Sequence, residues 1–320
     1  MTSEILISVQ ELSRSYAQQK AIENVSFNVH RGEILGFLGP NGAGKSTTMQ
    51  IICGVITAHH GSVSIAGHDI NTAPQLAKNH IGFLPEQPPL YYDLTVNEYL
   101  NYAAKLRGIK RNELTSKVNL SKERCGLKNV GSRLIQNLSK GYKQRVGIAQ
   151  AIIHSPPVII LDEPTSGLDP IQIREIRELM RELGKDHSVI LSTHILSEIH
   201  SLCNRVLIID QGHIVLDQPL DQLENGSIKP DSVEIGLRNP PTLESLLCIE
   251  GITSVERINE EVFCINFNQE SNMIDTIVKK SVFDNWGLFK LKPRGTSLEE
   301  TFMRLTHGDI EQLEKNDIND

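Results

Sequence analysis

The chain has 320 residues, with 32 Lys and Arg against 39 Asp and Glu and a formal charge of −7; hydrophobic residues make up 39% and charged residues 22%. These proportions suit a folded globular chain of one large domain or two. They argue against a nucleic-acid coat, because neutralising phosphates needs clustered Lys and Arg, and no apolar run approaches the ~20 residues that cross a bilayer.

The opening stretch, MTSEILISVQELSRSY, carries an early acid and alternates apolar with polar residues. It reads as neither a secretory signal nor an amphipathic transit helix, so a first strand and a cytoplasmic chain are expected. Residues 5–9, 22–29 and 62–66 are rich in β-formers between turn signals and predict strands of an antiparallel layer. Residues 33–39 (EILGFLG) predict a strand feeding a glycine loop, and residues 45–53 a helix.

From about 88 to 154 the pattern turns helical. Leu94, Tyr99, Leu100, Ala103 and Leu106 recur at helical spacing, and residues 112–125 and 143–153 predict two more helices. Short apolar strands then return at 158–161 and 188–193, of the kind buried on both faces of a parallel sheet. An amphipathic helix over 171–184 lies between them, and 206–210 and 213–217 continue the strand pattern. Alternating strands and helices indicate an α/β domain.

Residues 224–230 are polar and turn-rich, a linker. Beyond it the order is strand, helix, a hairpin around Asn259 and Glu260, a helix over 272–282, a strand at LFKLKP and a last helix over 298–305. That βαββαβ order predicts a small ferredoxin-like α+β domain over 231–306. A flexible acidic tail is expected over 307–320. The five cysteines, Cys53, Cys125, Cys203, Cys248 and Cys264, are scattered and never spaced as CxxC; buried free thiols are expected.

Residues 39–47, Gly39-Pro40-Asn41-Gly42-Ala43-Gly44-Lys45-Ser46-Thr47, fit G-x-x-x-x-G-K-S/T in full. Glycines let backbone N–H groups turn inward around phosphate oxygens, and the following helix adds its positive end. Lys45 is suited to bridging β- and γ-phosphates and Ser46 to ligating Mg2+. Downstream, Asp162 and Glu163 directly follow the apolar strand VIIL. Two adjacent acids beside a buried strand call for a cation, which MgATP supplies. Asp162 then holds Mg2+, and Glu163 orients or deprotonates the attacking water.

With LSKGYKQ at residues 138–144, the chain resembles the nucleotide-binding subunits of ABC transporters, whose signature is LSGGQ followed by Arg or Lys and Gln. Lys140 and Tyr142 depart from its commonest form. The resemblance covers roughly residues 4–220 and implies a P-loop fold with a mixed sheet core, an antiparallel β subdomain and a helical insertion, the ATPase domain spanning 1–224. It implies that Ser139 and Gly141 meet a γ-phosphate held by a second copy, so that two chains close head-to-tail over two nucleotides. It further implies that Asp169 aligns the dimer interface, that His194 contacts the γ-phosphate and positions Glu163, and that Tyr16 stacks on adenine. A strand-end tyrosine fits Tyr16 as well. The register of IGFLPEQPPLYYDLTV assigns the magnesium-contacting Q-loop position to Glu86, with Gln87 the alternative.

The module over 231–306 resembles the C-terminal extension of exporter subunits. An export ATPase driving a separate membrane permease, peripheral at the inner face of the membrane, is therefore expected. PPLYY offers the permease an apolar surface or packs on itself. Two other classes stand against this reading. A ribosomal or DNA-acting ATPase of the same type would carry two ATPase domains, coiled coils or a zinc module. A regulatory module without catalysis would not need Lys45, Asp162, Glu163 and His194 together.

Overall fold

The computed structural model describes residues 4–17, 19–224, 232–267, 273–294 and 302. The chain divides into two compact units between Leu220 and Asp221.

In chain order the first unit begins with two long strands, β1 (Ile5–Tyr16) and β2 (Gln19–His30), then β3 (Ile34–Leu38) and helix α1 (Lys45–Ile52). β4 (His60–Ile65), the two-residue β5 (His68–Asp69) and α2 (Pro74–Asn79) lead into β6 (Ile81–Leu84). Three helices follow: α3 (Val96–Leu106), α4 (Arg111–Arg124) and α5 (Lys140–Ile152). Then come β7 (Val158–Asp162), α6 (Pro170–Leu183), β8 (Ser188–Thr193), α7 (Leu196–Leu202), β9 (Arg205–Asp210) and β10 (His213–Pro219), and the short α8 (Leu220–Glu224) begins at the unit's last residue.

One sheet runs β2-β1-β4-β5 and is antiparallel; a larger one runs β10-β9-β3-β8-β7-β6. Within the larger sheet β9, β3, β8, β7 and β6 are parallel. Alternate residues of its central strands serve different cores. Ile159, Leu161, Val189 and Leu191 pack with Leu100, Val146 and Ile148 of the helical insertion. Val158, Ile160 and Ile190 pack with Met49 of α1 and with Leu6, Ile7 and Val25 of the antiparallel layer. A strand covered on both faces has no polar side to show, which is why VIIL and SVIL read as continuous apolar runs.

The expected architecture of a mixed sheet core, antiparallel layer and helical insertion is present, with local corrections. β1 continues past residue 9 to Tyr16, because bulges and the left-handed Glu11 (φ 49°) keep its polar half paired with β2. β10 does not extend the parallel pattern. It pairs antiparallel with β9 at the sheet edge, and its side chains alternate between half-buried and exposed. The helix expected at 143–153 starts at Lys140, one residue after an N-cap at Ser139. The short α2 and α7 are additional. Of the five cysteines, Cys53, Cys125 and Cys264 are buried and Cys203 is half-buried, but Cys248 is exposed at the end of its helix.

The second unit contains β11 (Ser232–Leu237), α9 (Leu243–Leu247), β12 (Ile252–Arg257), β13 (Val262–Phe267), α10 (Met273–Phe283) and β14 (Leu288–Arg294). Its sheet order is β12-β13-β11-β14, with every pair antiparallel. This is the ferredoxin-like arrangement that the βαββαβ order predicts. Val233, Ile235, Phe263, Ile265, Ile277 and Trp286 share its core. The linker over 225–230, most of the expected last helix and the acidic tail lie outside the described residues.

Candidate functional site

The large sheet brings three chain segments to one edge. β8 lies between β3 and β7, with Leu38 opposite Thr193 and Asp162 opposite Ser192. Gly39, Glu163 and His194 each follow the carboxyl end of one of these strands, where open α/β sheets bind ligands.

The loop between β3 and α1 is held from two sides. Gly44 caps α1 in the left-handed region (φ 108°), and a Cβ there would stand 2.6 Å from the Ala21 carbonyl oxygen. The turn after β9 closes the other side, where the Gly212 N–H donates to the Ala43 carbonyl at 3.0 Å. Lys45 is 6% exposed. Its Nζ donates to the carbonyls of Gly39 at 2.8 Å and Pro40 at 3.1 Å, and stands 3.5 Å from Glu163 Oε1.

Glu163 sits at φ 47°, a conformation that non-glycine residues adopt only under tertiary constraint. Its N–H donates to the Ser192 carbonyl, and its own carbonyl accepts from the Ser166 N–H. Its Oε2 lies 2.9 Å from His194 Nδ1, so the carboxylate touches Lys45 on one side and His194 on the other.

A cavity of about 330 Å³ opens in front of this group, lined by Asn41, Gly42, Gly44, Lys45, Ser46 and Thr47 of the loop with Ala21, Glu86, Glu163, Ser166 and His194. Glu86 lines it and Gln87 does not. A larger cavity of about 840 Å³ lies elsewhere, among Gln50, Lys78, Phe83, Pro89, Arg107 and Gln150. Of these two cavities the smaller is the candidate site, because it brings the loop glycines, a cation and two carboxylates together.

Asp162 precedes Glu163 at the end of β7 and does not itself line the cavity; it is 2% exposed, and its Oδ1 has no hydrogen-bond partner among the described residues. The Ser192 hydroxyl on the neighbouring strand is likewise unpartnered. A buried carboxylate oxygen without a donor is costly unless a cation completes it. The donors here are oxygens: the Ser46 hydroxyl and the carboxylates of Asp162 and Glu86. That set suits magnesium, which takes one or two protein carboxylates and completes its shell with phosphate and water. Among the described residues no three His, Cys, Asp or Glu side chains gather into a metal cage by themselves.

The other expected site residues stand apart from this cavity. Ser139 caps α5, its hydroxyl accepting from the Tyr142 N–H at 3.4 Å, and the buried Gly141 packs against Gln172. Asp169 caps α6 and accepts from the Gln172 N–H at 2.9 Å. Tyr16 ends β1, half exposed, with the Arg14 guanidinium 4.9 Å over its ring. Two lining residues, Ala21 and Ser166, have no place in the sequence-derived set. Ala21 reaches the cavity only because the β1–β2 hairpin folds over the loop, which no motif spacing records.

The match to the ABC transporter family model runs over residues 22–166. The bacitracin transport ATP-binding protein BcrA of Bacillus licheniformis is 38% identical over 226 residues, covering 70% of this chain and 73% of that protein. YdbJ of Bacillus subtilis, described as an uncharacterised ABC transporter ATP-binding protein, is 31% identical over 315 residues, covering 98% and 99%. A solved ATP-binding subunit of an ABC transporter superposes with a TM-score of 0.63 at 35% identity, covering 69% of this chain and 92% of that one. The chain belongs to the ABC transporter family, as an ATP-binding subunit with ATPase activity.

Proposed function

We propose that this subunit works as a head-to-tail dimer around two MgATP and drives a separate membrane permease in an export complex. The observation that carries the reading is the contact of Glu163 with both Lys45 and His194 at the mouth of the phosphate loop.

The N–H groups of the loop over residues 41–47 and the Lys45 ammonium bind the β- and γ-phosphates. Ser46, Asp162 and Glu86 hold magnesium, which supplies charge neutralisation on the phosphate oxygens. Glu163 takes a proton from the attacking water as that oxygen bonds to the γ-phosphorus and the bond to the leaving ADP oxygen breaks. His194 holds the Glu163 carboxylate in place and faces the γ-phosphate. Tyr16 receives the adenine. Ser139 and Gly141 at the start of α5 complete the site of a second copy, with the positive end of that helix directed at its γ-phosphate, and Asp169 aligns the interface.

Export is favoured by the similarity to a bacitracin transport protein and by the ferredoxin-like second unit. The larger cavity offers the permease a groove between the core and the helical insertion. Beside it Tyr91 packs on Tyr99 and Tyr102, with ring centroids 6.2 and 5.6 Å apart, yet Tyr91 and Tyr92 remain half exposed. The PPLYY segment thus packs on α3 and still presents an aromatic face. No described helix is long and apolar enough to cross a membrane, which accords with a peripheral subunit on the cytoplasmic face. Steady-state hydrolysis and size-exclusion profiles of Glu163→Gln test the reading. Lost turnover with an ATP-dependent dimer is expected, and turnover at the unmodified rate would overturn it.

A further inference from the structure

Glu198 lies on α7, outside every motif that the sequence displays, and is fully buried. A buried carboxylate demands partners. This one has a hydroxyl for each oxygen: Thr165 donates to Oε1 at 2.6 Å and Thr193 to Oε2 at 2.8 Å. Arg177 of α6 approaches Oε1 at 3.5 Å.

The placement of the two threonines gives the contact its meaning. Thr165 is two residues after Glu163, in the turn that leaves β7. Thr193 ends β8 and is followed directly by His194, and its hydroxyl also accepts from the Ile195 N–H at 3.1 Å. Glu163 and His194 therefore reach the cavity from two different strands, and one carboxylate behind them grips both exits. Glu163 holds a left-handed backbone that needs outside constraint. The Ser192 carbonyl fixes it from one side; the Thr165–Glu198 bond fixes the turn on the other.

We propose that Glu198 is a positioning residue for hydrolysis, setting the 2.9 Å contact between Glu163 and His194 through Thr165 and Thr193. It touches neither nucleotide nor water. It reaches the two strand ends through the two hydroxyls, with Arg177 beside it as a counter-charge from α6, which separates it from a carboxylate that merely fills the core. The inference rests on the roles assigned above to Glu163 and His194.

The test is the ATPase kinetics of full-length Glu198→Gln, Thr165→Val, Thr193→Val and the corresponding Thr→Ser variants. Glu198→Gln should lower kcat by about tenfold or more with KM for ATP within about threefold, because the phosphate loop is untouched. The two Thr→Val variants keep side-chain volume, lose the hydroxyl and should reproduce the loss, so the test stands even where Glu198→Gln folds poorly. The Thr→Ser variants should restore the rate. In a His194→Ala background Glu198→Gln should cost little more, since residues acting as a unit are not additive. An unchanged kcat in Glu198→Gln and both Thr→Val variants, or multiplicative losses with His194→Ala, would overturn the proposal. Glu163→Gln in the same assay separates the two ideas. If it still turns over normally, the site reading fails; if it is inactive while Glu198→Gln is normal, only the positioning role fails.

Discussion

Lys45 Nζ stands 3.5 Å from Glu163 Oε1, a nearly buried ion pair in which the cation of the phosphate loop faces the carboxylate of the neighbouring strand end. The same ammonium donates to two loop carbonyls. Lys45 is thus held in position by the loop and by Glu163. Removing one member of a buried pair leaves the other uncompensated. Lys45→Ala should weaken ATP binding by more than tenfold, about 1.4 kcal/mol or more, and lower the thermal midpoint of the nucleotide-free protein. Fluorescent-nucleotide titration and calorimetry measure the two effects.

The loop glycines should differ in their tolerance of a methyl group. At Gly44 the left-handed φ of 108° coincides with a Cβ 2.6 Å from both the Ala21 carbonyl oxygen and Ile22 Cγ2. At Gly42 φ is 83° but nothing lies within 4 Å of the added Cβ. Gly42→Ala should cost only the backbone term, roughly 1–2 kcal/mol. Gly44→Ala should cost more and displace the β1–β2 hairpin. Urea unfolding of both variants gives the order, and equal losses would show that the hairpin yields freely.

Asp162 should govern magnesium rather than nucleotide. Its Oδ1 is buried and unpartnered among the described residues, while Lys45 is held by the carbonyls of Gly39 and Pro40 and by Glu163, independently of it. Asp162→Asn should leave binding of metal-free ATP within about threefold and remove most of the gain in affinity on adding Mg2+. Titrations with and without EDTA read this difference directly.

The phosphate loop and the acid pair were legible in the sequence because their chemistry depends on neighbours along the chain. Spacing alone orders Gly39, Lys45 and Ser46, and a continuous apolar run announces the strand that ends at Asp162. The site's remaining parts come from pairing. Nothing near Glu198 marks it, since Thr165 and Thr193 lie 33 and 5 residues away and meet only when β7 and β8 are neighbours. Ala21 enters through a hairpin fold, and the polar half of β1 hides its strand character behind bulges. The antiparallel edge at β10 was missed because strand composition does not fix strand direction.

Acid should destabilise the protein through two histidines remote from the cavity. Burial pushes His154 down from 6.5 to about 4, helped by the Arg107 charge and opposed by its contact with the Ile81 carbonyl at 3.1 Å. Burial also lowers His187, which contacts the Pro156 carbonyl. A folded-state pKa below the unfolded one means that the unfolded chain binds more protons, so stability falls as pH falls. The His154 contribution is intact above about pH 6.5 and is lost progressively toward pH 4, roughly 2 kcal/mol of it by pH 5. Urea midpoints at pH 7.5 and 5 should show the loss, and His154→Gln should flatten it.

Ser139 separates a structural role from a functional one. Within this chain its hydroxyl caps α5; in the proposed dimer it faces the γ-phosphate of the other copy. Aspartate caps helices about as well as serine and favours the positive helix end, so Ser139→Asp should keep the thermal midpoint of the isolated subunit. Its carboxylate, however, would meet a γ-phosphate of the same sign. ATP-dependent dimerisation and hydrolysis should therefore be lost while binding of ATP to the monomer persists. Ser139→Ala should behave in the opposite sense, losing about 1 kcal/mol of cap energy but retaining part of the dimer. Analytical ultracentrifugation of both variants with ATP decides the matter. A Ser139→Asp protein that still dimerised and turned over normally would place the γ-phosphate away from the start of α5.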